Sequence, residues 1–239
     1  MFADPPPPAP EHAAFRWTRG DVALGVVAIV GVLGAIIGAA VASGLRGIGS
    51  GIAATVGFEA ALALIPLALA WRRGISLRAL GFVAPASWWS VLGIWLATYL
   101  VLVAYAVLLA VLGGAGIDVS RFEGGNPVPI PSGAPPGVVL ALGATVVLVA
   151  PVAEELYFRA FLFRAARPRL GVLAAALLSG ALFAVFHANL AVLLPFTLVG
   201  ALFAWGFEAS GSLWTSIAAH VLVNGLGFAA TLAQLAGGE

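Results

Sequence analysis

Apolar residues in this chain run in long blocks, and polar residues fall in short clusters between them. Blocks near 21–44, 51–71, 88–113, 136–164, 171–188, 190–207 and 212–235 are separated by Gly, Pro and Arg clusters, the residues that most often interrupt regular structure. Each block is close to the about 20 apolar residues that a helix needs to cross the hydrocarbon core of a bilayer, so the pattern predicts seven spans. A membrane β-barrel would need segments of about 10 residues alternating polar and apolar, whereas these blocks are apolar on every side. The expected fold class is therefore all-α, a polytopic transmembrane helix bundle with a polar site in the membrane core. The fifth and sixth blocks are nearly continuous, with only His187, Asn189 and Pro195 marking a turn between them. That leaves room for a short, steeply tilted pair.

Composition agrees with the pattern. Of 239 residues, 62% are hydrophobic and 9% charged, with a mean hydropathy of +1.09; a soluble domain is nearer about 25% charged. One membrane domain over 18–236 is expected, with no soluble domain and no nucleic-acid partner. The opening MFADPPPPAPEHAAF is Pro-rich and polar, so 1–17 reads as a disordered tail without chemistry, and His12 is discounted with it. The first block exceeds the about 7–15 residues of a signal-peptide core and is read as retained. All 11 basic residues are arginine. In the seven-span arrangement Arg16, Arg19, Arg72, Arg73, Arg78, Arg164, Arg167 and Arg169 share one side, Arg46 and Arg121 the other, and Arg159 lies within a span. That bias places the N-terminus in the cytoplasm of a multi-pass protein, expected in the bacterial cytoplasmic membrane. The one long polar loop, 114–135, is either a lid or a linker. No internal repeat stands out, and the lack of cysteine removes disulfides, thiol nucleophiles and Cys-based metal sites.

A charged side chain at mid-bilayer costs roughly 2.5–3.5 kcal/mol on the insertion scale, so the few that remain usually face a cavity. Within the spans the polar set is Glu59, Glu154, Glu155, Arg159, His187, His220, Asn224 and Gln234, while Glu208 falls in a short turn. Glu155 and Arg159 are four apart and stand on one helix face, with Glu154 rotated about 100° from Glu155. Arg159 can then neutralise Glu155 and leave Glu154 to point elsewhere; a pair that served packing alone would give Glu154 no purpose. Phe183 with His187, and His220 with Asn224, are also four apart. A histidine alone in an apolar helix is more often a packing residue than a catalyst, but here two come with the carboxylates. Glu154 and His187 are 33 residues apart, with a turn near 167–171 at the midpoint, and His187 and His220 are again 33 apart. At about 1.5 Å per residue these groups can converge at similar depth, in the cytoplasmic half or near the middle of the bilayer.

Three motifs carry a resemblance. EELYFR fits E-E-x-x-x-R, FAVFH fits F-x-x-x-H and HVLVN fits H-x-x-x-N, in that order, with a Gly-Ser-Leu-Trp segment before the last. Over about 137–226 the chain resembles the CAAX proteases and bacteriocin-processing enzymes, polytopic intramembrane endopeptidases that include the Ras-converting CAAX endopeptidases. The resemblance implies that Glu154 is the catalytic base, that Glu155 and Arg159 support it, and that His187 and His220 complete the centre beside Asn224. It implies a membrane-associated protein or peptide as substrate, with the lipid bilayer as partner. Relatives process prenylated proteins or bacterial peptides, so family membership does not fix which.

Peptide hydrolysis needs an activated nucleophile, oxyanion stabilisation and a proton for the leaving amine. Ser216 lies one turn before His220, but a Ser-His dyad would ignore both glutamates, and no G-x-S-x-G elbow is present. Two water routes stay open. In one, Glu154 takes the water proton, His220 and Asn224 donate to the oxyanion, and His187 orients or protonates. In the other, Glu154, His187 and His220 ligate a zinc-like ion and Glu155 assists as base. Readings from other classes are a proton-coupled transporter, which usually shows broken helices in paired halves, and a non-catalytic scaffold that uses the polar set as interhelical glue.

Overall fold

A computed structural model of the chain describes residues 15–44, 48–128, 130–131 and 133–237. The tail 1–14 with His12, and Arg46, lie outside the described residues. The helices are α1 (Arg19–Ser43), α2 (Ile48–Arg72), the short α3 (Leu77–Leu80), α4 (Trp89–Gly114), α5 (Pro136–Ala144), α6 (Ala150–Glu154), α7 (Arg164–Phe186), α8 (Leu190–Ser210) and α9 (Leu213–Gly237). π-Helical segments at Thr145–Val149 and Glu155–Phe163 join α5, α6 and α7 into one run. Among the described residues there is no strand, and six helical stretches are long and apolar enough to cross a membrane.

The longest of the six, Pro136–Phe186, has 51 residues, far more than one crossing needs. Gly171, at φ 78° and ψ 173°, breaks its helical path, a backbone that glycine adopts without a Cβ penalty. Beyond it the helix turns back on itself, and Ser179 Oγ donates to Phe158 O at 2.8 Å across the two arms. Counted as two arms, the run yields the seven crossings that the hydrophobic pattern predicts.

The core sits on the second π-helical segment, where every residue from Glu155 to Phe163 is buried. Outward positions of α1 and α4, such as Val41 and Leu100, remain exposed and apolar, as lipid-facing surface should. α1 starts at a capping box, with Thr18 Oγ accepting from Asp21 N at 3.1 Å and Asp21 Oδ2 accepting from Thr18 N at 2.8 Å. Just before it, Trp17 is 2% exposed and its Nε1 donates to Ala160 O at 2.8 Å. Phe15 packs as well, its ring meeting Trp17 edge-on, so these two residues of the segment expected as tail pack against the bundle. An indole needs both an apolar wall and an acceptor, and the π-helical segment supplies both.

Arginines gather at one end of the bundle and tie it together. Arg73 pairs with Asp21 at 2.6 Å, Arg167 pairs with Glu208, and Arg164 donates to Ala79 O. Farther in, α7 and α8 touch through glycine. A Cβ on Gly180 would stand 2.1 Å from Thr197 O, and one on Gly200 would stand 2.7 Å from Gly180 Cα. Gly180→Ala is therefore expected to destabilise the protein by about 1–3 kcal/mol through overpacking against backbone. Gly57→Ala, with nothing within 4 Å, should instead stabilise slightly, because alanine is the better helix former. Thermal unfolding in detergent compares the two, and equal effects would refute the close contact.

Candidate active site

The fourth block contains Pro151, which has no N–H to give to the helix. The turn before it widens into the π form, so that Ala150 N donates to Thr145 O, five residues back. The next acceptor in that register is Val146 O, and the residue that should serve it is Pro151. Asn224, arriving on α9, fills the gap: its Nδ2 donates to Val146 O at 2.9 Å. One amide hydrogen is thus spent on the backbone, and a second is left on the same nitrogen. This use of Asn224 is a signal that the sequence held in Pro151 but that spacing rules do not read.

The widened geometry continues through Glu155–Phe163, a nine-residue π-helical segment, of a kind found mostly as single turns and often at functional sites. Glu155 and Arg159 still meet, with Nη1 2.9 Å from Oε1 and both side chains fully buried. Arg159 Nη2 also donates to Gly200 O at 3.1 Å, a carbonyl within reach because α7 and α8 lie close together. Three rings surround the guanidinium, those of Phe183, Phe203 and Phe158, at 4.7, 5.4 and 5.8 Å from their centroids.

His220, 3% exposed, stands between the two glutamates. Its Nδ1 lies 2.9 Å from Glu155 Oε1 and its Nε2 lies 3.5 Å from Glu154 Oε2. A carboxylate only accepts, so Nδ1 donates to Glu155 and Nε2 is left facing Glu154. The result is a chain of contacts, Arg159 to Glu155 to His220 to Glu154. The expectation that Glu154 points away from the Glu155–Arg159 pair holds only in part, since both carboxylates reach the same imidazole from its two sides.

Glu154 also lines a cavity of about 690 Å³ that runs between α2 and the α5–α6 run. His187 and Asn224 line it too, whereas Glu155, Arg159 and His220 stand behind the wall. His187 Nδ1 is 2.9 Å from Phe183 O, an acceptor, so Nδ1 carries the hydrogen and Nε2 is free. Ala188, immediately after it, has φ 49°, a strained left-handed conformation for a residue with a Cβ. The strain belongs to the tight turn that ends α7 beside the cavity. Asn126, Pro127, Val128 and Pro131 of the long polar loop also line the cavity, so the loop covers the site and does more than link two helices. Glu59 of α2 completes the acidic lining; it is visible in the sequence as an intramembrane acid, but no motif spacing ties it to the others.

Ser216 Oγ donates to Phe203 O at 2.7 Å and is fully buried, which suits a packing role and not a nucleophile. The three residues of the zinc route do not fit a metal: no group of three or more His, Asp or Glu side chains among the described residues is placed to hold one.

Comparison with known proteins converges on the same part of the chain. Residues 136–226 match the family described as Rce1-like, Type II CAAX prenyl endopeptidase Rce1-like. That segment is similar to the Rce1-like family. A 77-residue stretch is 34% identical to the "Putative membrane peptidase YdiL" of Bacillus subtilis and covers 32% of each of the two chains. The matched stretch thus spans about a third of that relative. No solved structure matches the chain. The matched segment holds Glu154, Glu155, Arg159, His187, His220 and Asn224, while Glu59 and the loop residues that close the cavity lie before it.

Proposed function

We propose that the protein is an intramembrane endopeptidase that hydrolyses a peptide bond of a membrane-associated protein or peptide with water activated by Glu154. The observation that carries this reading is the position of Glu154, whose carboxylate lines the cavity on one side and meets His220 on the other. The Arg159–Glu155 pair holds His220 by Nδ1, so Nε2 faces Glu154 as an acceptor and can take a hydrogen bond from that carboxyl once it holds the proton of the water. His187 presents a free Nε2 to the same cavity, where it can position the water. The second amide hydrogen of Asn224, which lines the cavity, can donate to a developing oxyanion. Similarity of residues 136–226 to CAAX prenyl endopeptidases supports the same assignment.

The cavity runs from the covering loop inward, and the loop lies at the end of the bundle opposite the Arg73 and Arg167 ion pairs. With the arginine-rich end in the cytoplasm, the substrate approaches from the other face of a bacterial cytoplasmic membrane.

The test is a comparison of peptides from membranes that contain the wild type or the His187→Ala variant, in water enriched in heavy oxygen. The wild type is expected to yield peptides that are missing from the variant, each with one heavy oxygen at its new C-terminus, and to do so in the presence of a chelator. Identical peptide sets from a variant that folds and inserts normally would sink the endopeptidase reading in favour of a scaffold.

A further inference from the structure

Glu59 is 6% exposed, lines the cavity, and has its Oε2 buried without a hydrogen-bond partner. A carboxylate left so inside a membrane protein needs either a cation or a proton. Arg159 is committed to Glu155 at 2.9 Å, and no Lys or Arg is among the described residues that line the cavity. The remaining polar groups facing the cavity are Thr55 from α2, Glu154 from α6, His187 just after α7, Asn224 from α9, Thr145 from the first π turn and Asn126 from the loop. None is a fixed positive charge. Glu154 and Glu59 line the same cavity, and two carboxyls in one apolar site cannot readily both ionise.

We propose that Glu59 is the general acid of this site: with Glu154 it holds one proton between two carboxyls, and it delivers that proton to the leaving amine. The proposal rests on the endopeptidase reading. In the step, the water O–H bond breaks, its proton goes to Glu154 and its oxygen bonds to the scissile carbonyl carbon. The C–N bond then breaks as the Glu59 proton passes to the amine nitrogen. The pair again carries one proton, now on Glu154, and a cavity water can return it to Glu59. Base and acid thus come from different parts of the chain, the base from the segment that matches the Rce1-like family and the acid from α2, which lies outside it.

The experiment uses the full-length protein in detergent with Glu59→Gln, which keeps the shape and removes the transferable proton. Infrared spectra at neutral pH should show a protonated-carboxyl band in the wild type that is missing in Glu59→Gln, with no loss of thermal stability. Absence of that band from the wild type would overturn the proposal whether or not any substrate is cleaved. For the kinetic arm, one transmembrane peptide cleaved by the wild type is made with an amide and with an ester at the cleaved bond. Loss of a general acid should slow the amide by roughly 100-fold or more, while the ester, whose leaving alkoxide is the better leaving group, should slow by much less. Equal slowing of both would assign Glu59 a structural role and overturn the proposal. A wild type with the infrared band that cleaves no peptide would instead remove the endopeptidase reading, and the acid role with it.

Discussion

Glu154→Gln is expected to lower the single-turnover cleavage rate by roughly 100- to 10,000-fold, the range that a positioned general base contributes. The substitution keeps the size of the side chain and its place 3.5 Å from His220 Nε2, so insertion and folding should be preserved while the site loses its proton acceptor. The sign of the pH dependence follows. A base acts in its deprotonated form, so the wild-type rate should fall as pH is lowered through its titration, and that limb should vanish from the Glu154→Gln profile. A wild-type rate that is flat down to strongly acidic pH would contradict the role, as would a variant with more than about a tenth of wild-type activity.

Arg159→Met should have the largest effect on stability. Arg159 is fully buried and in contact with Glu155, the Gly200 carbonyl and three phenylalanine rings. Methionine replaces some of the packing but leaves Glu155 as an uncompensated buried charge, at a cost of about 3–5 kcal/mol. The double variant Glu155→Leu with Arg159→Met removes both charges and should recover most of that loss, because a buried ion pair is often no more stable than apolar residues of similar volume. Activity should not recover with it, since His220 loses the acceptor for its Nδ1. Unfolding of the two variants in detergent measures the difference, and a double variant as unstable as the single one would show that the pair is not the source of the cost.

Much of the candidate site was legible because membrane interiors make polar residues expensive. Glu154, Glu155, Arg159, His187, His220 and Asn224 stand out as exceptions within apolar blocks, and their four-residue spacings are local quantities that a helix turns directly into shared faces. The division of labour among them was not legible. That Asn224 serves the carbonyl orphaned by Pro151, and that His220 stands behind the cavity wall while His187 stands in it, depends on which helices pack side by side and at what rotation. Glu59 shows the same limit, since an acid with no motif partner in its own span becomes meaningful only when α2 is laid against α6.

By itself the sequence determined the all-helical membrane fold, the hairpin at the fourth and fifth blocks and the set of polar residues that make up the candidate site, because hydrophobic period, helix breakers and the cost of intramembrane charge are all properties of short stretches. Only the tertiary structure decided that nine consecutive residues take the π form, that α7 and α8 close to glycine contact so that Gly200 can receive Arg159, and that a carboxyl from outside the segment 136–226 shares the cavity with Glu154. These depend on contacts between residues far apart in the chain, whose strength is set by the fit of whole helices and not by any neighbour in sequence.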